Sequence, residues 1–281
     1  MNKKILLVFV LFFGLFISFM ISCKKDEPSA DQVAYDAADG VKGAQIYDHP
    51  LNYVLANQTD YPNTNTDFWR CKSCHGWDLR GQSGVLIGKA SSATYPVAAA
   101  GNLYASARSK SIRELFDAVK KSGGRSHGTY DATHPDYSTI LTDAQIWDVV
   151  KFIKETSHNV DDFYTTTTSG TYPTGKVTFS NIGKNGDAAA GLVTYNANCA
   201  SCHGADGKKI DIYCKGLFLG EMFRKDPHEM QHKSIWGMPK DREHLDAGCP
   251  AGGGIMPAMP ITDQDIRNMM VMGQDVTKFP N

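Results

Sequence analysis

This 281-residue sequence lacks three things, and the first is net charge: 29 Lys and Arg face 30 Asp and Glu, a formal charge of −1. The balance is also even along the chain, with 15 positive and 16 negative groups over residues 24–160 and 12 and 14 over 161–281. No basic domain is present to bind nucleic acid, and no block of like charge marks an interaction tail. The second lack is an even number of cysteines. The seven (Cys23, Cys71, Cys74, Cys199, Cys202, Cys214 and Cys249) cannot all pair, so at least one does something else. The third is methionine, absent between Met20 and Met222. The rest is ordinary: 42% apolar and 21% charged residues, a globular rather than disordered or fibrous composition. The length suits one large or two small domains.

The chain begins with a targeting segment. Lys3 and Lys4 precede an apolar stretch from Ile5 to Ile21, interrupted only by Gly14 and Ser18. The sequence Met20-Ile21-Ser22-Cys23 resembles the bacterial lipoprotein signal, with Met20 where Leu is commoner. The resemblance implies removal of residues 1–22, lipidation of Cys23 and a polar tether over 23–37. An uncleaved anchor helix and an ordinary signal peptide are the alternatives. Each exports the chain and places its cysteines outside the reducing cytosol. The expected location is therefore a bacterial membrane, lipid-anchored, facing the periplasm or the cell surface. The run Lys24-Lys25-Asp26-Glu27 resembles a surface-export signal, as a solvated tether also would.

Two motifs carry the chemistry: Cys71-Lys72-Ser73-Cys74-His75 and Cys199-Ala200-Ser201-Cys202-His203. Both are CxxCH, the haem c attachment pattern. Two thiols three positions apart on one turn can form thioethers with the two haem vinyl groups, and the adjacent His then lies beneath the iron. A thioredoxin-like dithiol would want a βαβ setting, and none is evident. A zinc site would need further Cys/His pairs at ligand spacing, which Cys214 and Cys249 do not supply. Two covalent haem c groups are the expectation, held by Cys71, Cys74, His75, Cys199, Cys202 and His203.

Around these motifs the chain resembles the class I cytochrome c family. Gly186 to Tyr195 followed by the second CxxCH and Gly204 resembles the start of such a domain, and Gly43-Ala44-Gln45-Ile46-Tyr47 repeats its Gly-x-x-apolar-Tyr element. In that family the element is an N-terminal helix whose Gly and aromatic pack against the C-terminal helix. The resemblance implies an all-α fold with two tandem domains, 38–160 and 187–281, joined by a linker over 161–186. The linker is Thr-rich and without helical period, with one short strand expected at Lys176–Phe179. The first copy departs from the pattern: Tyr47 and Cys71 are 24 residues apart, against 4 for Tyr195 and Cys199, so a loop is inserted there.

The distal ligand in this family lies shortly before the closing helix. In the second half Thr262 and Asp265 cap a helix with Ile266, Met269 and Met270 on one face. Met256-Pro257-Ala258-Met259 precedes it and resembles the family's Met-Pro element, making Met256 the axial candidate, with Met259 and Met238 as alternatives. In the first half Thr142 and Gln145 form a capping box ahead of Ile146, Val149, Val150 and Ile153. With no methionine available, His134-Pro135 stands where Met-Pro would. His134 is the candidate sixth ligand, with His127 or a five-coordinate iron as the alternatives. A thioether raises the potential relative to bis-imidazole ligation, so the pair should be uneven: haem 1 low, haem 2 high. Ligand choice moves haem potentials across about 0.8 V.

The remaining expectations are structural. Ser111 and Glu114 cap a helix with Ile112, Leu115, Phe116 and Val119 on one face; Pro227 opens another, whose Met230, Ile235 and Trp236 should cover the second haem. His228 and His232 are assigned to its solvated face, and His49 and His158 to the surface. Arg80 is either a haem-propionate partner or a surface arginine; Trp69 and Trp77 are assigned to the core. Cys214 and Cys249 remain for a disulfide, closing a loop of roughly 35 residues for about 4 kcal/mol, with two free thiols as the alternative. Together these features describe an electron carrier working between redox protein partners, rather than a catalyst. The rivals are a dihaem peroxidase-like enzyme, which would need an open iron position, the electron-conduit subunit of a larger oxidoreductase, and a non-haem metal-binding lipoprotein.

Overall fold

A computed structural model describes residues 27–50, 66–92, 96–120, 134–212, 216–238 and 256–281. The targeting segment, Cys23, His127, Cys214 and Cys249 lie outside the described residues.

The first half is helical. Helices α1 (Ala30–Ala37) and α2 (Gly40–Asp48) lead to two short turns, α3 (Thr66–Trp69) and α4 (Cys71–His75). Then come α5 (Leu103–Ser109), α6 (Ile112–Lys120) and α7 (Asp143–Lys151), the last continued by a wider turn over Phe152–Thr156. The second half contains α8 (Ala188–Asn198), α9 (Ala200–His203), α10 (Leu219–Lys225), α11 (Pro227–Trp236) and α12 (Asp263–Met272).

The starts obey local chemistry. Thr142 with Gln145 and Thr262 with Asp265 form reciprocal capping boxes at α7 and α12, each satisfying two orphan helix N–H groups. Ser111 and Glu114 do the same at α6, and Pro227 occupies the first turn of α11, where its missing N–H costs nothing.

In each half the first long helix crosses the last one at a glycine. A Cβ on Gly43 would lie 1.9 Å from the Asp148 carbonyl oxygen, and one on Gly191 would lie 2.2 Å from that of Asn268. Only hydrogen fits at either crossing. Below α2 and α7 the core gathers Ile46, Tyr47, Leu115, Ile146, Val150 and Phe152; below α8 and α12 it gathers Tyr195, Phe223, Ile266, Met269, Met270 and Phe279.

The all-α expectation needs correction, because a small sheet is present. Strands β1 (Thr165–Ser169) and β2 (Lys176–Ser180) pair antiparallel, with Thr165 opposite Ser180 and Ser169 opposite Lys176. The strand expected near 176–179 exists, and its partner is the threonine run assigned to linker. Threonine's β-branch favours an extended backbone, but a strand is specified only once its pairing partner is present. The hairpin rests on the first half. The Ala98 N–H donates to Tyr172 Oη (3.3 Å), and a Cβ on Gly175 would lie 2.5 Å from Ile87 Cγ1.

Three further assignments change. The end of the proposed tether is helix α1, whose buried Tyr35 donates to Glu155 (2.9 Å). His228 and His232 are not on a solvated face: they are 9% and 0% exposed. His49 is buried at 2% and His158 is partly buried, stacked on Phe163 and 3.1 Å from the Asp263 carboxylate. Periodicity over one helix cannot foresee this for His232 and His158, because Trp77 and Trp236, which pack against them, come from the other half of the chain.

Candidate functional site

The first CxxCH motif forms the single helical turn α4. Gly76 ends it at φ +76°, a left-handed conformation that favours glycine, and its N–H donates to the Lys72 carbonyl (2.8 Å). Tyr47 reaches in from α2 and donates its hydroxyl to the Gly76 carbonyl at 2.6 Å. Arg70, just before the turn, donates to the Asp48 carboxylate (2.6 Å) and the Asp48 carbonyl (2.9 Å), and both side chains are at most 5% exposed. Burial would raise the Asp48 carboxyl, but Arg70, Lys233 and Lys72 outweigh it and hold it below the ordinary range. Beyond the turn, buried Asp78 accepts from the Arg80 and Val85 N–H groups (3.1 and 2.9 Å), folding the next loop back; burial pushes its pKa up to about 6.

A cavity of about 680 Å³ opens on this turn, within the range of about 300–1,000 Å³ typical of cofactor sites. Cys71, Cys74, His75 and His134 all line it, with Leu115 and Val149 among its apolar walls. His134 Nδ1 lies 3.0 Å from the Pro135 carbonyl oxygen. A carbonyl can only accept, so a proton on Nδ1 satisfies this contact and fixes the ring against the Pro135 carbonyl. Burial, helped by His134, pushes His75 down to about 4, keeping it neutral at pH 7. Tyr137 donates to the Trp69 carbonyl (2.7 Å) and accepts from the Cys71 thiol (3.3 Å).

The thiols speak against dithiol redox chemistry. Burial pushes Cys71 up to about 11 and, together with Cys71, Cys74 up to about 12. A redox dithiol needs a lowered pKa to supply the thiolate. Two protonated thiols one turn apart, a neutral imidazole between them and the next loop, and a second imidazole on the same cavity are instead a donor set that fits haem c.

The second CxxCH motif is built the same way. The Gly204 N–H donates to the Ala200 carbonyl (2.8 Å), Gly204 has φ +81°, and Tyr195 donates to the Gly204 carbonyl at 2.6 Å. Burial lowers the His203 pKa and raises Cys199 to about 11. Met256 is half-buried and pairs through its backbone with Met238: the Met238 N–H donates to the Met256 carbonyl (2.7 Å) and the Met256 N–H to the Met238 carbonyl (3.0 Å).

Residues 41–157 match the family model of cytochrome c. The match supports a c-type cytochrome, a haem-binding electron-transfer protein with covalently attached haem c. No curated protein and no solved structure matches the chain.

Some residues fall elsewhere than expected. The Arg80 guanidinium is engaged by Asp161, in two hydrogen bonds of 3.1 and 2.8 Å, and by Asn159 (3.1 Å). Trp236 packs in the first half's core. His228 and His232 form no metal cluster, and no group of three metal-ligating side chains occurs among the described residues. Sequence reasoning missed the Arg70–Asp48 pair and the two tyrosine clasps. The clasps had a signal, since both tyrosines occupy the same place in the Gly-x-x-apolar-Tyr element.

Proposed function

We propose that the protein is a dihaem c-type cytochrome carrying single electrons between redox protein partners outside the cytoplasm. The observation that carries this reading is the duplicated clasp. Tyr47 and Tyr195 each donate at 2.6 Å to the glycine carbonyl after a CxxCH turn, and each sits on a helix crossing its closing helix at a glycine. The second half thus has the frame of the half that matches the family, which supports two tandem haem units.

Haem supplies a reversible one-electron couple. The chain's residues hold it: Cys71 and Cys74 with His75 and His134 on haem 1, Cys199 and Cys202 with His203 and Met256 on haem 2. His134 is oriented by its own Nδ1 bond, and Leu115, Val119 and Val149 give the cavity an apolar wall. Bis-imidazole ligation sets haem 1 low and thioether ligation sets haem 2 higher. His75 with His134, and His203 with Met256, would offer two donors to each iron and leave no position for a substrate, which would favour transfer over turnover. Cys23 anchors the chain by lipid to a bacterial membrane, at the periplasmic or surface face; Cys214 and Cys249 form a disulfide.

The test is intact mass under denaturing conditions. Two covalent haems per chain are expected, one lost in Cys71→Ala/Cys74→Ala and the other in Cys199→Ala/Cys202→Ala. A wild-type mass with one haem overturns the dihaem reading. His134→Ala should turn haem 1 high-spin in electron paramagnetic resonance; if only His127→Ala does so, the ligand is His127.

A further inference from the structure

Trp236 belongs to the second half by chain and to the first by packing. Its side chain is 2% exposed and makes edge contacts with Phe152 (5.1 Å), His158 (5.0 Å) and His232 (4.8 Å). Its carbonyl accepts from Gln45 Nε2 on α2 at 2.9 Å. His232, one turn earlier, lies 4.1 Å from the Trp77 ring, two residues past His75. The end of α11 is therefore seated in the first half from both faces.

The residues immediately after Trp236 meet Met256. Gly237 has φ +77°, and a Cβ there would lie 2.5 Å from the Ala258 nitrogen and 2.6 Å from the Met256 carbonyl oxygen. Met238 and Met256 exchange two backbone hydrogen bonds, and the Met259 N–H donates to the Ser234 carbonyl (3.3 Å). The run 256–259 thus hangs on residues 234–238, and these hang on the first half.

We propose that the first half clamps the axial-ligand strand of the second haem unit, with Gln45 and Trp236 as positioning residues for Met256; this rests on Met256 being that ligand. A ligand holds its iron only while supporting contacts fix it to within about 0.5 Å. Among the described residues the support includes the Gln45 hydrogen bond, the buried indole, the Met238–Met256 bridge and the Met259 bond to Ser234. The coupling is reciprocal: methionine ligation favours the docked halves, and docking favours ligation.

The test uses the full-length holoprotein and the weak far-red band of a ferric iron–thioether bond. Added imidazole competes with the methionine and removes the band. Gln45→Glu, nearly isosteric but without the donor, should lower the imidazole concentration needed by about fivefold to tenfold, the effect of losing one net hydrogen bond. Trp236→Ala should lower it further, and Trp236→Phe should fall between that variant and wild type. The low-spin signal of haem 1 should not change in Gln45→Glu. If Met256→Leu removes the band while Gln45→Glu and Trp236→Ala titrate like wild type, the clamp is overturned and the ligand reading stands. If Met256→Leu keeps the band, or Met238→Leu removes it, the ligand reading fails and the clamp on Met256 fails with it. Should Trp236→Ala not fold, Gln45→Glu decides alone.

Discussion

The two halves share a frame and differ in what surrounds it. Each has a glycine crossing, a tyrosine clasp of 2.6 Å and a CxxCH turn ended by a left-handed glycine. The residue before the turn differs. Arg70 sits in a buried ion pair with Asp48, whereas Asn198 donates to the Thr194 carbonyl of its own helix (3.0 Å). The distal sides differ too: His134 lines its cavity from within its own half, while the Met256 strand leans through α11 on the other. The shared parts are what a turn needs to present two thiols and an imidazole. The differing parts adjust how each site is enclosed.

The largest effect should come from filling the crossings. Gly43→Val drives a side chain into backbone and should abolish haem retention in the first half; overpacking of even small groups costs about 1–3 kcal/mol, and here the neighbour is a carbonyl. Because α11 docks on α2, the thioether band proposed for the second half should weaken as well. Gly191→Val meets the Asn268 and Met269 backbone and should cost the first half less of its haem than Gly43→Val does. Haem content and the far-red band measured together check this, and symmetric losses would break the asymmetry.

A smaller effect separates the residues preceding the turns. Arg70→Ala leaves Asp48 charged and buried, a loss of about 3–5 kcal/mol, whereas Asn198→Ala should cost under about 1 kcal/mol. Denaturant titration of both variants is the check, and equal losses would show that burial of the Arg70 pair has no energetic weight.

The smallest effect is acid sensitivity at the junction. Burial pushes His232 from its ordinary 6.5 down to about 3, Asp48 and Glu229 opposing and Lys233 adding to the fall. The unfolded chain therefore takes up the proton first. Stability is fully present above pH about 6.5 and is lost as pH falls towards about 3. Roughly 2 kcal/mol should go between pH about 7 and about 5, and His232→Phe should flatten that slope in denaturant titrations at the two pH values. His228, lowered by burial to about 4, acts in the same direction.

The features legible in the sequence were local. The capping pairs Thr142 with Gln145 and Thr262 with Asp265, Pro227 at its helix start and the helical face of Ile266, Met269 and Met270 all depend on neighbours within one or two turns. The candidate site was legible for the same reason, since a CxxCH turn places its own thiols and imidazole. The lack of any methionine between Met20 and Met222 pointed to His134, and His134 lines the cavity at the first CxxCH turn. The hairpin partner of Lys176–Ser180 was not, because four threonines specify an extended backbone and not what it pairs with. Nor was the Arg80 fork, whose partner Asp161 lies 81 residues on.

By itself the sequence determined the turns, the caps, the glycines that permit close crossings and the donor atoms offered to haem. Only the tertiary structure decided where α11 docks, that His228, His232 and Trp236 are buried, and that the Thr-rich connection is a hairpin resting on the first half. The reason is distance along the chain. A helix records in its own residues which of its faces is apolar, but burial depends on a surface brought by remote residues, and two halves with near-zero net charge carry no long-range sign of how they meet.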